Sequence, residues 1–144
     1  MMIRAIQASD KTEYLRMRQA LWPEYDSHAE ELEGYFSKLS YAAIVAERPN
    51  GKLCGFIDVG SRSYAEGCET SPVAYIEGWY VDPDMQKQGI GRLLVQAAEA
   101  WAKGQGYTEI ASDTWLENEG SINAHKALGY AEVERLVCFA KGLM

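Results

Sequence analysis

Two glycines stand at the start of an amphipathic helix in the stretch VDPDMQKQGIGRLLVQAAEAWAK, residues 81–103. They are Gly89 and Gly91, and they follow an apolar run that predicts a strand. The first N–H groups of a helix have no partner within it and lie at the positive end of its dipole, so they bind anions well. Glycine also lets a phosphate approach the backbone closely. The alternative is an ordinary turn before a flexible helix start, and GIG alone does not decide between them.

Neither of the two common glycine-rich phosphate motifs fits this stretch. The dinucleotide fingerprint G-x-G-x-x-G fails because Leu94 occupies the position of its third glycine. The P-loop pattern G-x-x-x-x-G-K-[ST] does not occur in the chain. The glycines therefore predict a phosphate-bearing cofactor held in some other way.

Three further residues have side chains suited to proton transfer or to binding a cation. Glu77 lies within an otherwise apolar strand, where a carboxylate must be paired or face a cleft; an outward-facing surface position is the alternative. Asp113 ends the predicted strand EIASD, where it either meets a ligand or caps the following turn. His125 either donates a proton near neutral pH or is a helix residue with a hydrogen-bonded ring. His28 has no partner at metal-ligand spacing, so we predict no metal site.

The elements that position these residues alternate between strand and helix along the chain. The predicted order begins with a strand at 2–6, a helix from a Ser9 cap to about Leu21 and a helix from the capping box SHAE (27–30) to about Leu39. A hairpin turning at Asn50-Gly51, a polar loop at 61–71 and a strand at 72–81 follow. After the helix that starts at the glycines come a strand in YTEIASD, a helix in NEGSINAHKAL and a closing strand in YAEVERLVCFAK. This order predicts a mixed α/β (α+β) sheet flanked by helices. No repeat or linker interrupts it, so we predict a single domain over 1–144.

Composition and charge exclude several kinds of partner. The formal net charge of −7 argues against nucleic acid, because such a partner needs a basic face. The same charge suits a cationic ligand, although acidic surfaces also serve solubility alone. No apolar run approaches the ~20 residues of a membrane span. The N-terminus has no signal-peptide core, so we expect a cytoplasmic protein that does not associate with membranes.

The glycine stretch and the last predicted helix carry a family resemblance. Gln86-x-x-Gly89-x-Gly91 resembles the acetyl-coenzyme A pyrophosphate loop of the GNAT acetyltransferase superfamily, R/Q-x-x-G-x-G/A, and NEGSINAHKALGY resembles its last conserved helix. More narrowly, five stretches resemble the aminoglycoside 6'-N-acetyltransferases: LWPEY, SRSYAEGCETSPVAYIEGWYVDP, ASDTWLEN, HKALGY and EVERLV. The resemblance implies a GNAT fold over nearly the whole chain, acetyl-CoA as acetyl donor, no metal cofactor, and a cationic aminoglycoside acetylated at its 6'-amine. It also implies a homodimer paired through the C-terminal strands.

The resemblance further implies roles for individual residues. It places cofactor contacts on the strand before the loop, the loop itself and the start of the last helix: Trp79, Tyr80, Val81, Gln86, Lys87, Gln88, Gly89, Ile90, Gly91, Arg92 and Asn118. It places acceptor contacts on Trp22, Tyr64, Glu77, Asp113 and Glu134. The candidate catalytic residues are Asp113, Glu77 and His125, with Asp113 as the base and His125, where the broad superfamily has Tyr, as the acid for the departing thiolate.

Purely structural explanations of some of these residues remain open. Trp22 and the strand 79–81 are also explained by core packing, Tyr64 by a solvated loop and Glu134 by a surface strand. Two other functions are also compatible with the sequence. One is acetylation of a polyamine, an amino acid or a protein amine, and the other is CoA binding without catalysis.

Overall fold

The computed structural model describes residues 1–37 and 41–144, without the side chains of 34–37, and its elements fall in two units, Met1–Ser112 and Asp113–Met144. The first unit contains five strands, β1 (Met2–Ala5), β2 (Ala42–Glu47), β3 (Leu53–Arg62), β4 (Val73–Val81) and β5 (Ile110–Ser112), and three helices, α1 (Lys11–Leu21), α2 (His28–Ser37) and α3 (Ile90–Gly104). The second unit contains α4 (Glu119–Ala127). The prediction of a single domain over 1–144 stays a prediction.

The five strands form one mixed sheet in the order β1-β2-β3-β4-β5. The first three pairs are antiparallel, whereas β4 and β5 run parallel with α3 in the connection between them. Strands β2 and β3 form the predicted hairpin, and Gly51 in its turn has a φ of 87°, which a glycine adopts without strain. A mixed sheet with helices confirms the predicted fold class.

Apolar side chains of α1 and α2 pack with residues of β2 and β3 in one core. Its buried members are Tyr14, Met17, Leu32, Ala43, Val45, Leu53 and Phe56. Helix α3 packs against β3 through its own stripe: Leu94 lies 3.2 Å from the position that a Cβ of Gly55 would take. The stripe buries Val95, whereas Leu93 is 44% exposed.

The start of α1 differs from the prediction. Residues Ala8–Asp10 form a short 3₁₀ turn, and α1 begins at Lys11 with Asp10, not Ser9, at the cap position. The Asp10 carboxylate accepts from the backbone N–H of Gln7 (2.7 Å) and from Arg4 (2.7 Å), and these bonds stabilise the turn. The predicted end of the second helix, about Leu39, lies outside the described residues.

The predicted closing strand is wrong for this structure. Residues 130–144 form neither helix nor strand, and every side chain from 131 onward is exposed. A short strand is stable only when its backbone is paired with a neighbour. The apolar pattern of YAEVERLVCFAK therefore predicts a capacity to pair that the described part of this chain does not use.

Candidate active site

Strand β4 is irregular at the point where Glu77 lies. Asp58 of β3 is opposite Gly78, but the next residue of β3, Val59, is opposite Ile76. Glu77 is therefore the extra residue of a β-bulge, a feature that turns a side chain away from the regular pleat and is common beside active sites.

The other edge of β4 loses its strand neighbour just before the bulge. Pairing with β5 ends at Ile76 and Ser112, so within the described residues 77–81 have a strand partner, β3, on one edge only. A strand edge without a neighbouring strand can pair with an extended ligand through its main chain. This edge belongs to Trp79, Tyr80 and Val81, the strand residues predicted to contact the cofactor.

Glu77 is paired, as a carboxylate in an apolar strand must be. Arg62 donates to both its oxygens, from Nε at 2.9 Å and from Nη2 at 2.6 Å, and Glu77 stays 29% exposed. The Arg62 guanidinium also lies 3.6 Å from the ring centroid of Tyr75. The sequence did not single out Arg62, which antiparallel pairing of β3 and β4 brings across from 15 residues earlier. An ammonium ligand at Glu77 would share the carboxylate with Arg62 or displace it.

The two predicted aromatic contacts in the first unit, Trp22 and Tyr64, differ in exposure. Trp22 is half-buried, and its ring contacts the position of Gly78, next to Glu77. Tyr64 lies in the loop after β3 and is 67% exposed. The Trp22 ring thus lies at the residue next to Glu77. The predicted role of Tyr64 stays a prediction.

The glycine loop has the geometry of an anion site. Lys87 and Gly89 have left-handed φ values of 63° and 84°, a conformation found where successive N–H groups form a concave anion nest. Gly89 caps α3, and its carbonyl accepts the first helical bond, from Leu93 (3.1 Å). The N–H groups of residues 90–92 are thus the orphan donors of the helix. Lys87 and Arg92 are exposed and add positive charge, so the loop fits a pyrophosphate.

Trp79 and Gln86 fix this loop to the strand. The Trp79 Nε1–H donates to the carbonyl of Gly91 (3.2 Å), and a Cβ at Gly91 would lie 3.2 Å from Trp79 Cζ2. The Gln86 amide donates to the carbonyl of Val81 (3.1 Å). These bonds fix the positions of Trp79 and Gln86, two of the predicted cofactor residues.

A buried carboxylate anchors the start of the loop. Asp82 is 5% exposed and accepts two bonds from Arg16 and one from Arg48, all at 3.0 Å. Burial alone would raise the pKa of Asp82, but the hydrogen bonds from the two guanidinium groups hold it below its usual range. Arg48 also pairs with Asp84 at 2.9 Å. Sequence reasoning missed this network, whose arginines come from distant segments.

The remaining predicted residues lie in the second unit. Asn118 is the N-cap of α4, where its side chain accepts from the N–H of Ser121 (3.0 Å). The His125 Nδ1 lies 2.7 Å from the carbonyl of Ser121, so this nitrogen carries a proton and donates it. This bond favours the structural reading of His125. Asp113 precedes α4, Glu134 belongs to the exposed tail, and their predicted roles stay predictions.

The described residues contain neither a metal site nor a membrane-spanning helix. No group of three or more His, Cys, Asp or Glu side chains among them is placed to hold a metal ion. No helix in this part of the chain has both the length and the apolar character needed to cross a membrane.

Comparison with known proteins agrees with the fold. The model of the acetyltransferase (GNAT) family matches residues 6–130, so the chain belongs to this family. Aminoglycoside N(6')-acetyltransferase type 1 from Klebsiella aerogenes is 43% identical over 148 aligned positions, covering 99% of this chain and 97% of that protein. The crystal structure of aminoglycoside 6'-N-acetyltransferase AAC(6')-IG from Acinetobacter haemolyticus has a TM-score of 0.92 at 32% identity, covering 100% of both chains. AAC(6')-Iy, solved with the bisubstrate analogue CoA-S-monomethyl-acetylneamine, has a TM-score of 0.90 at 32% identity, covering 99% of this chain and 98% of that one.

The Asp82 network predicts a pH-dependent contribution to stability. The folded pKa of Asp82 is below the ordinary 3.8, so the network contributes fully above about pH 4 and is lost as pH falls through the folded pKa. Asp82→Asn should lower the free energy of unfolding by about 2 kcal/mol at pH 7, with the gap from the native protein narrowing toward pH 3. Urea unfolding at pH 7, 5 and 3 measures this. Asp26→Asn, at an exposed position, is the control, and a constant gap at all three pH values would contradict the assignment.

Proposed function

We propose that this protein transfers the acetyl group of acetyl-CoA to the 6'-amine of aminoglycosides. The observation that carries the proposal is the arrangement of β4, in which the bulged Glu77 and an edge at 77–81 that has no second strand neighbour among the described residues lead directly into the glycine loop. One strand thereby offers a carboxylate that can bind a cation and an edge that can bind the cofactor. Eight relatives with this activity in their names match 87–99% of the chain at 34–43% identity.

The chain's own residues suit the donor side of this reaction. The orphan N–H groups at the start of α3, with Lys87 and Arg92, hold the pyrophosphate of the donor. The edge of Trp79–Val81 that faces away from β3 binds the pantetheine chain of the cofactor through main-chain hydrogen bonds. When bound, acetyl-CoA supplies the thioester carbonyl that the amine attacks.

The acceptor side needs negative charge and a base. Glu77 binds an ammonium group of the drug, and the Trp22 ring beside it contacts the sugar. Asp113 takes the proton from the 6'-ammonium, directly or through water, and Glu134 adds a further contact. The net charge of −7 raises the local concentration of a polycation. Acetylation removes one positive charge from the drug, and we propose antibiotic resistance as the consequence; the cytoplasmic location stays a prediction.

A thiol-release assay with acetyl-CoA and a panel of amines tests the function. Kanamycin and tobramycin should be turned over with a kcat/KM at least about 100-fold above that for spermidine or lysine. A congener with a hydroxyl group in place of the 6'-amine is the matched control and should be inert. Faster turnover of a polyamine or amino acid would support a different acetyltransferase. Binding of acetyl-CoA without thiol release from any amine would support the non-catalytic alternative.

Gly91 should be needed for binding of the donor. A valine side chain there meets the Trp79 ring and blocks approach to the first turn of α3, so we expect Gly91→Val to raise the Kd of acetyl-CoA about tenfold or more. Gly104→Val, at the other end of the same helix where a Cβ has open space, is the control. Calorimetry measures both, with circular dichroism to show that they fold. Native affinity in folded Gly91→Val would refute the loop assignment.

Glu77 should bind the acceptor and not the donor. Glu77→Gln keeps a bond to Arg62 but removes the charge, so the KM of kanamycin should rise about tenfold or more while that of acetyl-CoA changes little. Glu47→Gln is a close control, since Glu47 also lies at an irregular position of a strand, pairs with Arg4 and is 26% exposed. Steady-state kinetics with both substrates decides. An equal effect of the two substitutions would make Glu77 an ordinary surface acid.

Asp113 should affect the chemical step more than binding. If it takes the proton from the 6'-ammonium, Asp113→Asn should lower kcat about 10²-fold with a smaller change in the KM of the drug. Glu117→Gln, another exposed acid of the same unit, should leave kcat unchanged. The pH profile of kcat checks the role, because losing a base removes its acidic limb. A higher KM with native kcat would make Asp113 a binding residue only.

We also propose a homodimer in which the tail 131–144 pairs with a second copy. Its apolar side chains are widely exposed: Val133, Val137, Phe139 and Leu143 are 60%, 78%, 91% and 88% exposed. A long exposed apolar segment is an aggregation hazard unless it is covered. A second copy of the chain offers the same segment and the same sheet, which supports a symmetric pairing.

The dimer should depend on the apolar side chains of the tail. Light scattering at micromolar concentration should give twice the monomer mass for the native protein and the monomer mass for Phe139→Lys, because a charge cannot be buried in an apolar contact. Cys138→Ser, the exposed neighbouring position, is the control and should stay dimeric. A native monomer under these conditions would end the proposal.

A further inference from the structure

The indole of Trp22 is held by groups to which the proposed function assigns no role. Trp22 is the C-cap residue of α1, and its backbone N–H donates to the Arg18 carbonyl (2.8 Å). The ring packs edge-on against Phe56 of β3, with centroids 6.3 Å apart. Trp22 is nevertheless only half-buried, so part of its side chain faces solvent.

Gly78 is the position of β4 on which the Trp22 ring lies. A Cβ at Gly78 would overlap Cη2 of the Trp22 indole and would lie 2.9 Å from Cζ2 of the same ring. It would also lie 3.3 Å from Cε2 of Phe56. Any side chain at residue 78 therefore displaces the indole. Because Gly78 directly follows Glu77, the absence of a side chain here sets the ring beside the predicted cation-binding carboxylate.

Arg18 and His28 hold both the ring and the main chain of Trp22. The Arg18 guanidinium carbon lies 4.7 Å from the indole centroid, and its Nε donates to His28 Nδ1 (3.1 Å). Since a guanidinium group only donates, Nδ1 is an acceptor and the neutral imidazole has its proton on Nε2. That nitrogen lies 3.2 Å from the Trp22 carbonyl oxygen and donates to it, while the two rings stack at an interplanar angle of 15°.

We propose that Gly78 determines which acceptors the enzyme takes, by leaving space for the Trp22 indole to form a fixed wall beside Glu77, with Arg18 and His28 as positioning residues. The inference rests on the proposed function. An aminosugar fits these two surfaces, because its C–H face packs on an aromatic ring while an ammonium group at its rim contacts the carboxylate. An indole that is already fixed loses little conformational entropy when the sugar binds.

A double-mutant cycle between Gly78 and Trp22 tests the proposal with kanamycin and acetyl-CoA as substrates. Gly78→Ala displaces the indole, so it should raise the KM of kanamycin about tenfold, with the KM of acetyl-CoA within about twofold of native. In a Trp22→Ala background the obstacle is gone, so the same substitution should change the KM of kanamycin by less than about twofold. An equal effect of Gly78→Ala in both backgrounds overturns the proposal.

The control separates displacement of Trp22 from general strain in the sheet. Gly60→Ala on β3 places a Cβ 2.5 Å from Cε1 of Tyr41, so it introduces a similar overlap with a different aromatic ring. It should lower the melting temperature as Gly78→Ala does, yet leave the KM of kanamycin near native. A rise in KM that follows the melting temperature in both variants overturns the proposal.

His28→Ala provides a second measurement that introduces no overlap, and it applies if Gly78→Ala does not fold. Loss of the bond to the Trp22 carbonyl should raise the KM of kanamycin several-fold with kcat within about twofold, and His28→Gln, which keeps a donor and an acceptor, should restore part of it. Native kinetics for folded His28→Ala overturns the positioning role while leaving the proposed function intact. Native enzyme that turns over no aminoglycoside overturns the proposed function and this inference together.

Discussion

A carboxylate buried in the middle of the sheet is the constraint on which the acceptor side of the structure depends. Asp58 is 0% exposed, and it accepts from the Tyr14 hydroxyl (2.6 Å) and from Arg18 Nη1 (2.7 Å). Burial raises the pKa of Asp58 to about 7, against the opposing effects of the Arg18 charge and the Tyr14 hydroxyl. Removing one partner of such a pair leaves an uncompensated buried charge, so α1 has to stay where it places Arg18 against β3. That requirement also fixes Trp22, the C-cap residue of α1, four residues after Arg18.

The donor side depends on an interruption of regular hydrogen bonding. Strand β4 is paired on both edges at its start and on one edge after Ile76, and the bulge at Glu77 marks the change. A strand edge without a neighbouring strand can pair with a ligand through its main chain. Here that edge lies directly before a loop with two left-handed residues and a helix N-terminus. Departures from regular structure that recur along one segment are typical of a site that a ligand completes.

Both sides thus meet on one strand, and each is fixed by arginines from elsewhere in the chain. Arg62 pairs with Glu77, Arg18 with Asp58, and Arg16 and Arg48 with Asp82. The protein carries an excess of acids, 21 Asp and Glu against 14 Lys and Arg. The acids at and beside β4 are nevertheless paired with arginines. Their arginine partners set how much of that charge a cationic substrate encounters.

The sequence by itself determined the elements and the loop. Periodicity identified the strands and helices of the first unit within a few residues, because a stripe of apolar residues reports which face packs. The Gln86-x-x-Gly89-x-Gly91 spacing indicated the family and predicts the cofactor loop, since close contact with a phosphate favours glycine at defined positions whatever surrounds them. Asp58 stands in LCGFIDVGS as Glu77 stands in its own strand, so the rule that singled out Glu77 applied equally to it.

Only the tertiary structure decided which partners these residues have. Register brings Arg62 to Glu77, and a missing Cβ at Gly78 lets Trp22 lie beside it; both depend on contacts between segments that local pattern does not encode. The same reason explains why the prediction of a closing strand was wrong. YAEVERLVCFAK has the composition of a strand, but a strand forms only against a partner, and a sequence does not state whether that partner lies in its own chain.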